Sequence, residues 1–96
     1  MMYVRITPFS FDPGREQEIV RFTNERVIPV TRELPGFRRY TGAIDRASSR
    51  GFAISEWDTL EQAENLRTAL GSLPQQMADL SLRLEAGQTL EVMVQA

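Results

Sequence analysis

The chain has 96 residues, the length of one small domain expected to span residues 1–96. All of its cations are arginine, and lysine, histidine and cysteine are absent, which excludes thiol or imidazole nucleophiles, Schiff-base lysines, disulfides, and zinc or haem sites built on His or Cys. A net charge of −2 argues against a nucleic-acid partner, no apolar run approaches the ~20 residues of a membrane span, and the first residues lack a charged segment before an apolar core, so a cytoplasmic protein without a signal peptide is expected.

Tyr3-Val4-Arg5-Ile6-Thr7 alternates polar and apolar residues and reads as a strand that Pro8 ends. Asp12-Pro13-Gly14 reads as a helix start, with Asp12 as N-cap and Pro13 in the first turn. Ile19, Val20, Phe22, Thr23 and Val27 form the apolar stripe of that helix, and Pro29 is expected to kink or end it, leaving an irregular stretch from Val30 to Leu34. Leu34-Pro35-Gly36-Phe37 places Pro and Gly as a type II turn requires.

A strand from Phe37 to Asp45, interrupted by Gly42, is followed by a loop at 47–51 and a strand from Phe52 to Trp57, so the two strands form a hairpin. Asp58-Thr59 caps the next helix, and Thr59 with Gln62 fits a capping box. Leu60, Ala63, Leu66 and Leu70 form its stripe, and Gly71-Ser72 closes it. Leu73, Met77, Leu80 and Leu84 mark a further helix that Pro74 opens and Gly87 ends, and Thr89 to Val94 is a last strand.

The order β-α-β-β-α-(α)-β is the ferredoxin-like pattern, an antiparallel sheet with helices on one face. Phe52 and Ile54 alternate with Trp57, and Leu90, Val92 and Val94 with Met93, so both sheet faces carry apolar residues. Helices cover only one of them, which implies a partner on the other.

Leu34-Pro35-Gly36-Phe37, Tyr40 in the next strand, and Ser55-Glu56-Trp57-Asp58-Thr59 with Ala63 behind it resemble the antibiotic biosynthesis monooxygenase domain family. The resemblance spans nearly the whole chain in element order and length. It implies a dimeric α/β barrel: a homodimer whose two sheets face each other, with a pocket between sheet and helices in each subunit. The family's activities include cofactor-free oxidation of aromatic polyketides and quinols, and haem degradation. The haem-degrading branch relies on a helix histidine, a first-strand asparagine and a second-helix tryptophan. This chain has no histidine, its asparagines (Asn24 and Asn65) fall in expected helices, and its tryptophan ends a strand, so that branch is not expected.

Arg5, Asn24, Tyr40 and Trp57 are the candidate pocket residues. Arg5 is a mid-strand cation that needs a partner, an anion or water, and fits a substrate enolate or phenolate; bridging a dimer is the competing role. The Tyr40 phenol and the Trp57 indole N–H are donors for a substrate oxygen, and both also serve as ordinary core anchors. Asn24 points either at a pocket or at solvent. Glu56 and Trp57 alternate, so only one faces the helices, with Glu56 either a general base there or an arginine's partner elsewhere. Arg38 and Arg39 are expected to split between faces, and Met77 fills core.

The expected function is cofactor-independent oxidation of an electron-rich aromatic, polyketide or quinol, with no cofactor and no metal. The competing reading is a non-catalytic dimeric module, binding a hydrophobic or aromatic small molecule or serving in stress. An isomerase or decarboxylase on the same barrel is a third.

Overall fold

A computed structural model describes residues 2–96. In chain order the elements are β1 (Tyr3–Ser10), a 3-10 turn (Pro13–Arg15), α1 (Glu16–Phe22), a π-helical turn (Thr23–Val27), α2 (Ile28–Arg32), β2 (Phe37–Asp45), β3 (Arg50–Trp57), α3 (Leu60–Leu70), α4 (Leu73–Asp79), β4 (Arg83–Leu84) and β5 (Gln88–Glu91). All strand pairs are antiparallel. β1 pairs with β3 on one edge, β3 with β2, and β4 and β5 share the other edge of β1. This is the ferredoxin-like α+β topology.

β1 does not stop at Pro8. Between the pairs Ile6–Gln88 and Phe9–Leu84, two residues of β1 face the three residues 85–87, which is a β-bulge. The Pro8 carbonyl accepts from the Glu85 N–H at 2.8 Å, so its nitrogen faces the same bulged edge. A proline is tolerated in an inner strand there because the irregular edge asks for no N–H.

The helix does not end at Pro29 either, and the expected irregular stretch from Val30 is helical to Arg32. The π turn supplies the reason. The Ile28 N–H reaches back five residues to the Thr23 carbonyl, so the ladder is already shifted one residue before the proline arrives. Asp12 has the extended backbone of an N-cap, but its side chain makes no capping bond. Its N–H instead donates to the Ser81 hydroxyl at 3.0 Å.

The expected long helix from Leu73 to Gly87 stops early, at Asp79. Ser81 takes a positive φ of 75°, the Leu82 N–H donates to the Met77 carbonyl, and the Ser81 N–H donates to that of Ala78. That is a Schellman ending with serine in the position usually held by glycine. Met77 and Leu82 make its hydrophobic contact inside the core. Leu84 consequently belongs to a strand, and the last strand ends at Glu91 rather than Val94.

The local turn signals hold. The Phe37 N–H donates to the Leu34 carbonyl with Gly36 at φ 79°, as a type II turn requires. Thr59 and Gln62 exchange both bonds of a capping box, at 3.2 and 3.1 Å. The turn packs on this box: a Cβ on Gly36 would lie 1.7 Å from Gln62 Oε1.

Trp57 is fully buried with Ala63 and Leu66, so the helices cover the Trp57 side of the sheet. Glu56 therefore faces outward, where Arg39 lies 3.6 Å away. The extra residue in β2 at Arg38 puts Arg38 beside Asp58 and leaves Arg39 on the outer face. Val4, Ile6, Ile54, Phe52 and Leu90 share that outer face by register, and Phe52 is 49% exposed.

Candidate functional site

The helix-side face of the sheet is built in rows. The first row is Glu91–Tyr3–Trp57–Phe37, and the second is Thr89–Arg5–Ser55–Tyr40. The third holds Thr7, Ala53 and Gly42, and the fourth holds Leu84, Phe9, Gly51 and Ile44. Bulk is concentrated at the two ends. Trp57 packs edge-on against Phe37, with ring centroids 5.6 Å apart, and Phe9 packs against Phe11 at 6.1 Å. Two separate core clusters result, one on Trp57, Ala63 and Leu66, the other on Phe9, Phe11, Val27, Leu73, Met77 and Leu82.

Between the clusters the cleft floor is Arg5 and Thr7 on β1, Tyr40 and Gly42 on β2 and Ala53 on β3, so its centre carries only Ala53 and Gly42. Side chains that small cannot fill the space beneath a helix layer, since sheet and helix faces pack about 10 Å apart. A cleft of about 1060 Å³ remains, walled by Ile19, Thr23, Asn24 and Val27 from the first helical arm and by Leu70 and Met77 from the later helices. Its size matches small-molecule sites, on the order of 300–1,000 Å³.

Of the four sequence candidates, the structure brings Arg5, Asn24 and Tyr40 to this cleft. Arg5 and Tyr40 rise from one row with Ser55 between them, two strand spacings or about 10 Å apart at the backbone. Asn24 comes from the π turn, on the opposite wall.

Trp57 is corrected. It does not line the cleft, its exposure is 0%, and its indole N–H already donates to the Ser55 hydroxyl at 2.8 Å. A buried, satisfied donor holds the core together and offers nothing to a ligand. Glu56, as a candidate base, is on the other face of the sheet. Met77 fills core and touches the cleft.

The polar wall groups differ in how they are engaged. Thr23 and Thr31 turn their hydroxyls back on the carbonyls of Ile19 and Val27, at 2.9 and 2.8 Å. Tyr40 is half-buried, and burial alone pushes its phenol above the usual value of 10.0. It is therefore a neutral O–H donor at pH 7. Arg5 makes one long contact, 3.5 Å to Thr89 Oγ1. Gly87, Thr7 and Arg67 also line the cleft, and sequence reasoning did not single them out. Thr7 shares the parity of Arg5, so its signal was present. Gly87 and Arg67 arrive only through tertiary packing. No group of three Asp or Glu suited to a metal ion occurs among the described residues. No helix there is long and apolar enough to cross a membrane.

The architecture and its cleft belong to a class of small ferredoxin-like α+β domains that hold a pocket between sheet and helices. Solved structures of other proteins share this fold. The chain is similar to the N63A mutant of SnoaB, a cofactor-independent oxygenase from Streptomyces nogalater, at 18% identity and TM-score 0.75, covering 98% of this chain and 95% of that one. It is similar to a structure from Deinococcus radiodurans bearing the antibiotic biosynthesis monooxygenase name, at 16% identity and TM-score 0.72, over 98% and 95%. The monooxygenase from the ActVA-Orf6 gene of Streptomyces coelicolor, in complex with Nanaomycin D, matches at 17% identity and TM-score 0.68, over 98% and 92%. The chain therefore has the fold of the antibiotic biosynthesis monooxygenases. No family model matches the sequence, and neither does any curated protein.

Proposed function

We propose that this protein is a member of the antibiotic biosynthesis monooxygenase family and oxidises an electron-rich aromatic, polyketide or quinol without a cofactor. One observation carries the reading: an apolar-walled cleft has two donors without strong protein partners, Arg5 and Tyr40, on either side of Ser55 in one row of the sheet beneath it. The fold shared with a cofactor-independent oxygenase supports it.

In this reaction the substrate supplies the electrons. Arg5 stabilises the phenolate or enolate, and Tyr40 donates a hydrogen bond to a substrate oxygen. The ionised substrate passes one electron to dioxygen, and the radical and superoxide join in a C–O bond. The peroxide takes up a proton, its O–O bond breaks as the C–H proton leaves, and the products are a ring carbonyl and water. The cleft walls keep water from the radical pair.

The same proposal includes a homodimer in the cytoplasm. Its support is the outer sheet face, where Phe52, Leu90, Val4, Ile6 and Ile54 have no covering layer within the chain. A second copy seated there closes the barrel. Sedimentation is expected to give a dimer at micromolar concentration, and a stable monomer contradicts that part of the proposal.

Oxygen uptake tests the activity, with metal-free protein and a panel of quinols and anthrones. Oxygen-dependent turnover of at least one member is expected. If the whole panel is inert while one compound still raises the melting temperature, the protein is a binding module and the monooxygenase reading fails.

A further inference from the structure

The charges around the cleft do not cancel. Six charged side chains line it: Arg5, Glu16, Arg46, Arg67, Arg83 and Glu85. Glu16 is held by Arg46 in a two-pronged ion pair, Glu85 by Arg50 from outside the cleft, and Arg83 lies 3.9 Å from Asp12. Arg5 and Arg67 are left with no carboxylate partner among the described residues. Two uncompensated cations thus sit in the cleft of a chain whose net charge is −2.

Arg5 is the more telling of the two. It is half-buried on the cleft floor, and its one protein contact, to Thr89, is at the outer limit of a hydrogen bond. A guanidinium has five N–H donors, so most of its hydrogen-bonding capacity is unspent. The space around it is kept by Gly87, where a Cβ would fall 2.8 Å from Arg5 Nη2 and 3.1 Å from its Cζ. A neutral aromatic seated over this floor removes water from the guanidinium and returns nothing. An anionic one replaces that water with charge-assisted, two-pronged hydrogen bonds.

Building on the reading of the cleft as the ligand site, we infer that it selects aromatic molecules carrying a permanent negative charge, such as a carboxylate, with Arg5 as the specificity-determining cation and Arg67 as a weaker second one. The selection works in both directions, because the unpartnered cation penalises the neutral analogue.

A matched pair of fluorescent probes tests this: 8-anilinonaphthalene-1-sulfonate and N-phenyl-1-naphthylamine, which share one aromatic body and differ by the sulfonate. At low salt the sulfonate is expected to bind tighter by about tenfold or more, with the preference shrinking as salt rises. Arg5→Met keeps the aliphatic stem and should bring the two affinities together, while Arg67→Gln should lower the preference only in part. Gly42→Leu marks the location. A Cβ at Gly42 meets nothing within 4 Å, so the larger side chain has room to start into the cleft and should weaken binding of both probes.

Equal affinities in the unaltered protein overturn the inference, as does a preference that survives Arg5→Met or probe binding that Gly42→Leu leaves unchanged. If the probes show no charge preference while uncharged quinols are still oxidised, the charge selection fails and the proposed oxidation stands.

Discussion

The row Tyr3–Trp57–Phe37 and the row Arg5–Ser55–Tyr40 are neighbours on the same face of the same three strands. In the first, every large side chain packs against another, and the indole N–H of the fully buried Trp57 is bonded. In the second, a serine separates two long polar side chains, and the strongest bond the row makes is the one Ser55 accepts from Trp57. What distinguishes them is volume. Trp57 fills the space between sheet and helix, whereas beyond Ser55 the small residues Ala53 and Gly42 leave it open. A binding cleft in a thin two-layer domain thus comes from withholding bulk over a few positions while both flanks are packed firmly enough to hold the layers apart.

The contrast can be broken most severely at Trp57. Trp57→Ala should cost about 3–5 kcal/mol in urea unfolding, because it empties a fully buried site, whereas Arg5→Met should change stability by about 1 kcal/mol or less. Ser55→Ala sharpens the division, since Ser55 stands in the open row but serves the closed one. It orphans a buried indole N–H, so a loss of about 1–3 kcal/mol is expected by the same measurement. Thr59→Ala removes the capping box just beyond Trp57 and should cost about 1 kcal/mol, visible as a lower melting temperature.

The smallest effect is at alkaline pH. Burial raises the Tyr40 pKa above 10.0, so the folded state holds its proton where the unfolded chain has lost it. That contribution to stability is present below about pH 10 and is lost as pH rises through the folded-state value. Tyr40→Phe should remove this part of the pH dependence, checked by urea midpoints between neutral and alkaline pH.

Much of the fold was legible wherever the signal is local. The Leu34–Phe37 turn, the Thr59–Gln62 box and the β2–β3 hairpin each depend on a few neighbouring residues. Three of the misreadings involve a compensation made by other residues. Pro8 stays in β1 because residues 85–87 bulge opposite it. Pro29 stays in a helix because the π turn has already shifted the ladder. Ser81 ends α4 in a conformation that usually wants glycine, tied down by Asp12 and by the Met77–Leu82 contact. At the site, alternation groups Arg5 with Thr7 and Tyr40 with Gly42. Which face those groups turn to the helices depends on where Trp57 is buried, and that is a tertiary fact. Trp57 looked like a ligand donor because its partner Ser55, two residues away, is itself unremarkable in a strand.

The central claim is that the open row handles the substrate and the closed row holds the fold. The oxygen-uptake rate on one turned-over quinol, compared across the unaltered protein, Trp57→Phe and the double variant Arg5→Met/Tyr40→Phe, tests it most directly. Trp57→Phe is expected to keep most of the rate while melting at a lower temperature, and the double variant to lose most of the rate while melting near the unaltered protein. A double variant that turns over normally, with Trp57→Phe inactive yet folded, contradicts the account.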